Sequence, residues 1–544
     1  MEYCMKRFVM FYLATVMFFD AIYMGVFVHI GFSALMLPAL ITYQWLYKSK
    51  TTKSKKKVIG LELGKGVDIG NPDTPITVDV VLEEKALGLG VLFVGSPGSG
   101  KSIAAIVLSE YYTKFRKIGW CYWEGKGDKD IYQKAISCGA APDKFFSSDL
   151  EFSDSTNVVS GTTESILEAL TQTLITSESD YYRNAQREAL AAVIPLLKAC
   201  NKPINLRDIY VALKVDQAAQ YVINLAKKAG AAADVIEVAR LFYDREPDDR
   251  AKDINGLMIK MSLFVTGFIA DRLNAYEPSL DLVEASKKGE RVYFHLPYSS
   301  MAKDIATMFT EQIGGIAKQR QLYDDVRTPW PQMFDDWGKF FYTNVGSITA
   351  RCRSAGMPIS YFFQSKGQID AVENGIFTTE IMDNIGGFCS FRINGNDTAK
   401  WAAEQFGTYE TSELNVSEHK ESSGQVLTVN RIPRIEPDVL KDLNAGEAFI
   451  SCLQSGEGGE SNNKRYKARF PLPVFQNEKS IEWPIIETKT NNNCEGLHLW
   501  RDFMDKDRLK ELKKEVVQQA LDQEEADEIE EIDDNELEHE VDYL

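Results

Sequence analysis

The stretch that decides the fold reads Gly95-Ser96-Pro97-Gly98-Ser99-Gly100-Lys101-Ser102. It matches G-x-x-x-x-G-K-[ST], the pattern of a phosphate-binding P-loop. An apolar run at residues 90–94 predicts a buried strand before it, and residues 103–108 open a helix after it. The motif requires this setting, because glycines let backbone N–H groups and the positive helix end face phosphate oxygens. A glycine turn that binds nothing is the alternative interpretation.

Two side chains of the motif have separate predicted roles. Lys101 would reach the β- and γ-phosphates of a nucleotide, and Ser102 would hold Mg²⁺. The predicted cofactors are therefore ATP and Mg²⁺, with all eight residues of the motif forming the nucleotide-binding loop.

The acidic partner that a P-loop needs is predicted at Asp335 and Asp336, which follow the short apolar run Met333-Phe334. Asp335 would orient Mg²⁺ through its water shell, as a Walker B acid does. Asp336 would orient and deprotonate the attacking water. Its side chain is one methylene shorter than the Glu of many such ATPases. The alternative is a surface pair of acids after a short apolar run.

Two further polar positions are candidates for the same site. Gln364 ends the apolar strand predicted at residues 359–363, where it could sense the γ-phosphate or position water. Arg351 and Arg353 lie on a predicted helix between the two strands, and an arginine can complete the site of a neighbouring subunit in a ring. A polar strand cap and surface arginines are the alternatives.

The N-terminus predicts a membrane anchor. Residues 8–47 contain Asp20 and His29 but no Lys or Arg, which leaves room for two spans of about 20 residues. Lys6 and Arg7 precede this segment and six lysines follow it within residues 48–57. Positive charge on both flanks predicts a hairpin with both ends in the cytoplasm, turning near residues 25–31. A long signal peptide is the alternative.

The charge of the chain is concentrated at its C-terminus. The formal net charge is −18, which argues against a general nucleic-acid binder. Residues 515–544 hold 14 acids and no Lys or Arg, so removing them from −18 leaves −4 for the rest. Such a block is predicted to be disordered, either for solubility or as a docking tail for a basic partner. No basic stripe stands out elsewhere in the sequence.

The order of the patterns predicts an α/β protein: a P-loop sheet interrupted by helices. Residues 117–123 give a second strand and a βαβ unit. Late strands are predicted at residues 448–453 and 465–470, around a polar loop. We predict a membrane anchor with a basic juxtamembrane segment (1–57), a nucleotide-binding domain in two parts (58–163 and 286–480), an all-α domain between them (164–285), and a linker, helix and acidic tail (481–544).

Together these motifs resemble the coupling proteins of bacterial type IV secretion and conjugation systems, RecA-like P-loop ATPases close to the FtsK and HerA pumps. The resemblance covers roughly residues 58–475 and the hydrophobic N-terminal hairpin. Besides the P-loop it includes these segments: Gly125-Lys126-Gly127-Asp128, Ser179-Asp180-Tyr181-Tyr182-Arg183-Asn184-Ala185, Phe334-Asp335-Asp336, Arg351-Cys352-Arg353-Ser354-Ala355-Gly356 and Phe363-Gln364-Ser365. The sequence departs from the family pattern at Asp336, where Glu is usual, and in the short loop between the predicted spans.

The resemblance implies a homo-hexamer in the bacterial inner membrane that moves DNA into a secretion channel by ATP hydrolysis. The DNA would be a single strand bound to a relaxase. The all-α domain and the acidic tail would recruit cargo and relaxosome accessory proteins.

Other functions remain open from the sequence. A coupling ATPase could export effector proteins instead of DNA. A chromosome-segregation translocase usually has four spans and a C-terminal winged helix, and this chain ends in an acidic tail. A nucleotide-binding membrane receptor or scaffold with little hydrolysis is a third possibility, which the Asp336 substitution supports. The transporter signature Leu-Ser-Gly-Gly-Gln is not present in the sequence.

Overall fold

The computed structural model describes residues 59–504, apart from 71, 73–74, 324–327, 341, 343, 371–375, 420–421, 456–460, 478–479 and 487–493. The predicted membrane hairpin and the predicted acidic tail lie outside the described residues. Within them, no helix combines the length and apolar character that a membrane crossing requires.

Eleven of the thirteen strands in the described residues form one sheet, in the order β2-β1-β13-β12-β9-β3-β8-β7-β4-β6-β5. Strands β9 to β5 in this order are parallel, and β12, β13, β1 and β2 extend the sheet with antiparallel pairs. Strands β10 and β11 form a separate hairpin. The strands are β1 (Gly60–Asp68), β2 (Ile76–Glu83), β3 (Val91–Val94), β4 (Cys121–Glu124), β5 (Lys144–Ser147), β6 (Val292–His295), β7 (Gln332–Asp335), β8 (Ile359–Phe363), β9 (Gly387–Ser390), β10 (Thr408–His419), β11 (Ser422–Pro433), β12 (Glu447–Ser455) and β13 (Ser461–Arg469).

Helices connect these strands and cover both faces of the sheet. They are α1 (Glu84–Leu87), α2 (Lys101–Glu110), α3 (Lys129–Ser137), α4 (Thr163–Leu174), α5 (Asp180–Lys198), α6 (Leu206–Lys214), α7 (Asp216–Lys228), α8 (Ala233–Tyr243), α9 (Pro247–Val265), α10 (Ala270–Leu273), α11 (Leu282–Lys288), α12 (Ser300–Tyr323), α13 (Val345–Ser354), α14 (Lys366–Asp370), α15 (Ile376–Asn384), α16 (Asn396–Glu404), α17 (Pro437–Lys441) and α18 (Leu499–Phe503). A π-helical turn, Tyr111–Arg116, prolongs α2, and a 3₁₀ turn, Trp337–Lys339, follows β7.

The P-loop strand shows how the core is divided. Along β3, Val91 and Phe93 pack into the cluster that contains α2, whereas Leu92 and Val94 pack into the cluster that contains α12, α13 and the inserted helices. All four residues of β3 are buried. A parallel sheet covered on both faces gives such continuous apolar strands, and the predicted α/β class is confirmed.

The inserted helices, α4 to α11, run from Thr163 to Lys288 between the edge strand β5 and its neighbour β6. Helix α4 packs closely on α12. A Cβ added at Gly315 of α12 would lie only 2.7 Å from Ser165 Cβ of α4, so glycine permits this approach. The insertion matches the predicted helical pattern, and the predicted domain divisions stay predictions.

The late strand pair β12–β13 was predicted from the sequence. Strands β5 and β9 and the β10–β11 hairpin were not. Strands β5 and β9 have four residues each, too few for a clear period. Strand β8 lies between β3 and β7, so the acidic strand is not a direct neighbour of the P-loop strand.

Candidate nucleotide site

The P-loop occupies the turn between β3 and α2. Gly100 precedes α2 with a φ of 102°, in the left-handed region that favours glycine. A Cβ at Gly100 would lie 2.8 Å from the backbone nitrogen of Gly446, so a side chain there would also clash. No side chain caps α2. Its first N–H groups therefore have no side-chain acceptor, which leaves them available to an anion at this helix N-terminus.

Backbone hydrogen bonds hold the loop between its two neighbouring strands. The N–H of Gly95 donates to the carbonyl of Phe363 at the end of β8, at 3.0 Å. The N–H of Ser96 donates to the carbonyl of Arg392 just beyond β9, at 2.8 Å. These bonds fix the loop at the carboxyl edge of the parallel strands, where ligands bind in open α/β sheets.

Lys101 lies between the two predicted acids. Lys101 and Asp335 are buried, and Asp336 is half-buried. Its Nζ is 3.3 Å from Oδ1 of Asp335 and 3.2 Å from Oδ1 of Asp336. Burial disfavours the ammonium, but the charges and hydrogen bonds of both carboxylates outweigh burial and raise the pKa of Lys101. The lysine is therefore charged and is held at the P-loop by the acids.

Asp335 is fixed from the neighbouring strand β4. Tyr122 donates its hydroxyl proton to Oδ2 of Asp335, with 2.8 Å between the oxygens. Asp335 is also aligned with Glu124, the last residue of β4. Its remaining lone pairs and those of the Ser102 hydroxyl are the oxygen ligands that Mg²⁺ prefers. Ser102 is the second residue of α2 and is half-buried.

Asp336 and Gln364 meet at the end of the acidic strand. Gln364 Nε2 donates to Oδ1 of Asp336 at 2.7 Å. Asp336 itself has a φ of 51°, a left-handed conformation that is costly for a residue other than glycine. The contact brings together the predicted residues Lys101, Asp335, Asp336 and Gln364. Their catalytic roles stay predictions.

Glu124, the last residue of β4, had no role predicted from the sequence. Its carboxylate accepts three backbone N–H groups, those of Lys126, Gly127 and Asp128. Burial raises the pKa of Glu124 to about 8, those hydrogen bonds oppose the rise, and the nearby charge of Asp335 adds to it. Glu124 thus shapes the loop after β4 at the edge of the site.

Arg351 lies away from this cluster. It is in the last turn of α13, and the residues after that helix meet the amino ends of β7 and β8: Trp330 N–H donates to Gly356 and Gln332 N–H to Pro358, both at 2.9 Å. That end of the sheet is opposite the P-loop. The structure does not bring Arg351 to Lys101 in the same chain, and its role in a neighbouring subunit stays a prediction.

Arg392 is a site residue that the sequence analysis missed. Its guanidinium Nη2 lies 4.0 Å from the position that a Cβ at Gly98 would occupy. Its Nε is buried without a hydrogen-bond partner among the described residues. Arg392 follows the short strand β9, so no apolar pattern marked it as a strand-end residue. It adds a cation on the side of the P-loop opposite to Asp335.

Residues 336–444 match a family model described as the TraM recognition site of TraD and TraG. No match to the chain is found among curated proteins.

Three solved structures share the fold. An unbound form of the bacterial conjugative coupling protein TrwBdeltaN70 aligns at a TM-score of 0.55 and 12% identity, covering 80% of this chain and 93% of that one. The plasmid coupling protein TrwB with a non-hydrolysable ATP analogue gives a TM-score of 0.54 at 13% identity, covering 81% and 94%. Its complex with ADP and Mg²⁺ gives 0.52 at 12%, covering 80% and 93%. The matched family segment and the shared fold confirm the resemblance to coupling ATPases of conjugation and type IV secretion.

Proposed function

We propose that the chain is a membrane-anchored motor that couples ATP hydrolysis to the transfer of DNA into a type IV secretion channel. The observation that carries the proposal is the cluster of Lys101, Asp335, Asp336 and Gln364 at the P-loop edge. A phosphate loop, a metal acid, a base and a polar strand-end residue are the parts that phosphoryl transfer to water needs.

The mechanism follows from those contacts. Mg²⁺, when bound, neutralises charge on the β- and γ-phosphates. Lys101 exchanges its carboxylate partners for phosphate oxygens, which frees Asp335 and Asp336. Asp335 and Ser102 would hold Mg²⁺. Asp336 takes the proton of the attacking water, and Gln364 holds the Asp336 carboxylate in place. Because Gln364 directly follows β8, loss of the γ-phosphate would change its contacts and could shift that strand.

The oligomeric state and the membrane location are part of the same proposal. A hexamer in the bacterial inner membrane, with two spans and both termini in the cytoplasm, would move a relaxase-bound single strand of DNA. The match of residues 336–444 supports docking of a relaxosome accessory protein on that segment. The all-α domain and the acidic tail are further proposed contacts for cargo and accessory proteins.

The experiment is ATP turnover by the full-length chain in detergent, with and without a single-stranded oligonucleotide, against Lys101→Ala. We expect wild-type turnover that DNA stimulates, and a fall of at least about 100-fold in the variant, because the loss of one transition-state cation costs this much. Equal turnover in the two proteins would remove the motor function.

A second candidate function is a nucleotide-binding receptor with little hydrolysis. The observation that favours it is Asp336, whose carboxylate is already bound by Lys101 and Gln364. Tight ATP binding by wild type with no turnover would support it. Turnover that a secreted protein stimulates and DNA does not would instead support effector export.

A further inference from the structure

Strand β13 carries an unusual concentration of basic residues. Its sequence, Ser-Asn-Asn-Lys-Arg-Tyr-Lys-Ala-Arg, has four basic residues and no acid in a chain of net charge −18. Tyr466 and Ala468 are buried in the core. Because side chains alternate along a strand, Arg465, Lys467 and Arg469 share the opposite face.

Arg434 joins this face from the end of the β10–β11 hairpin. Its N–H donates to the carbonyl of Gly407 at 3.0 Å, and its guanidinium lies 5.9 Å from the ring centre of Tyr409. Arg465 Nη2 lies 3.8 Å from the position of a Cβ at Gly407. Arg434 and the side chain of Arg465 therefore meet at Gly407, and the two charges are close enough to interact. We call Arg434, Arg465, Lys467 and Arg469 the basic face.

The basic face is poorly neutralised. In the register of the sheet, Arg465 lies beside Ser451, Lys467 beside Phe449 and Arg469 beside Glu447. A backbone hydrogen bond from Asn444 lowers the pKa of Glu447, and the positive charges of Lys467 and Arg469 lower it further. Arg434 donates to the carbonyl of Gly70, and within the described residues neither Arg434 nor Arg465 forms an ion pair.

Burial and the charge of Arg434 both lower the pKa of Arg465, which shows that the two cations are held together at a cost. The Nε atoms of both are buried without a hydrogen-bond partner among the described residues. Two adjacent guanidinium forks without a carboxylate match the geometry of a phosphate oxyanion.

We propose that the basic face binds the phosphate backbone of the transported nucleic acid. Alternate residues of a strand repeat at about 6.7 Å, on the scale of successive phosphates of an extended strand. Tyr409 supplies an aromatic surface beside the cations, the combination that single-strand binders use. The inference rests on the proposed function and assigns it a contact surface.

The basic face is also connected to the nucleotide site. Arg469 donates to the carbonyl of Ala445 at 3.0 Å, and the N–H of the next residue, Gly446, donates to the carbonyl of Ser99 in the P-loop at 2.8 Å. A shift of the P-loop on ATP hydrolysis would be transmitted through Gly446 and Ala445 to Arg469, and so to the proposed contacts with the DNA phosphates.

The test is binding of a fluorescent single-stranded oligonucleotide by the full-length chain over a series of salt concentrations. The double variant Arg434→Gln/Arg465→Gln should bind about 10-fold more weakly or worse at low salt. The slope of log K against log salt should become shallower by about 1.4, for two lost phosphate contacts. Arg431→Gln is the matched control, because Arg431 is exposed on β11 and ion-paired with Glu410.

Two further measurements keep the test decisive. Arg434→Lys/Arg465→Lys retains both charges and should retain most of the salt slope, even if the Gln variant folds poorly. ATP binding should be unchanged in the Gln variant, so the proposed nucleotide site is checked separately. DNA binding and slope equal to wild type in a folded Gln variant would overturn the inference. Loss of binding to a peptide of residues 515–544, with DNA binding intact, would assign the face to the acidic tail and also overturn it.

Discussion

The P-loop strand β3 divides the carboxyl edge of the sheet into two halves with opposite chemistry. On one side, Gln364 follows β8, Asp335 ends β7 and is followed by Asp336, and Glu124 ends β4. We call this the acid side. On the other side, the segment after β9 carries Arg392 at this edge. The basic face lies on the more distant β13 and runs from Arg469 at this edge toward the amino ends of the strands, where Arg465 is level with Phe388 of β9. We call this the arginine side.

The two sides differ in how their charges are satisfied. On the acid side, Asp335 and Asp336 share Lys101, and Glu124 accepts three backbone N–H groups. On the arginine side, Arg392, Arg434 and Arg465 each have a buried Nε without a hydrogen-bond partner in the described part of the chain. On the acid side each carboxylate has a partner that holds it in place for chemistry. On the arginine side Arg434 and Arg465 form no ion pair among the described residues, so that side attracts an anion from outside. Mutations on the acid side should therefore lower ATP turnover, and mutations on the arginine side should lower the affinity for anionic ligands.

The largest expected effect lies on the acid side. Asp336→Asn removes the proposed base and should lower kcat about 10²- to 10⁴-fold, because proton transfer by a positioned group contributes that much. Nucleotide affinity should change only a few-fold. Asp336→Glu restores the carboxylate with the longer reach usual in the family, and its kcat should equal or exceed that of wild type. Steady-state turnover and equilibrium binding of a fluorescent ATP analogue measure both quantities.

A matched control is Asp397→Asn, which changes an exposed acid in the first turn of α16. It should leave kcat unchanged. If Asp336→Asn kept wild-type turnover, the base would have to lie elsewhere, and the division into a catalytic and a binding side would lose its support.

The acid side was largely predictable from the sequence, and the arginine side was not. Lys101 and Ser102 belong to a fixed motif, and Asp335 and Gln364 end apolar runs, so local patterns identified them. Arg392 follows a strand of four residues, and Arg434 meets Arg465 only through the pairing of distant segments. Arg465, Lys467 and Arg469 lie in one strand and are visible in the sequence, but only the strand alternation puts them on one face, and only the fold adds Arg434 to them. The position of Arg351 likewise depends on the direction of α13, which residue pattern does not reveal.

The next effect lies on the arginine side. Arg392→Ala should raise the Kd for ATP and ADP about 10- to 100-fold, the range for a hydrogen bond to a charged group. The Kd for AMP should stay near its wild-type value, because Gly98, beside Arg392, lies in the loop proposed to hold the β-phosphate. At saturating ATP, kcat should change little. Binding titrations with the three nucleotides measure the pattern.

Arg431→Ala serves as the control for this variant, since it removes an exposed arginine from the hairpin. An equal loss of affinity for AMP would indicate general distortion of the loop. A loss of kcat with unchanged Kd would place Arg392 with the catalytic residues. The arginine side would then contribute to turnover as well as to affinity, against the division proposed above.

The smallest expected effect is a pH dependence of stability at the far end of the acid side. His295 ends β6, its Nδ1 lies 3.0 Å from Ser147 Oγ, and its ring packs edge-on against Trp483 at 4.8 Å. Burial lowers the pKa of His295 from 6.5 to about 4, although a backbone hydrogen bond to Gly127 and the charge of Asp149 oppose it. Between those pH values the unfolded chain takes up a proton that the folded chain refuses, so stability from this group is lost as pH falls.

His295→Phe keeps a ring against Trp483 and abolishes the proton uptake. Its Tm should be somewhat lower than that of wild type at pH 7, because Ser147 loses a hydrogen bond. Between pH 7 and 5, wild type should lose about 2 kcal/mol more stability than the variant, since each pKa unit corresponds to about 1.4 kcal/mol. Thermal unfolding at both pH values measures the difference. Arg392, Arg434 and Arg465 do not titrate in this range, so they do not contribute to the difference. Parallel pH profiles for the two proteins would show that folding does not lower the pKa of His295, and the pH dependence would then have to come from other groups.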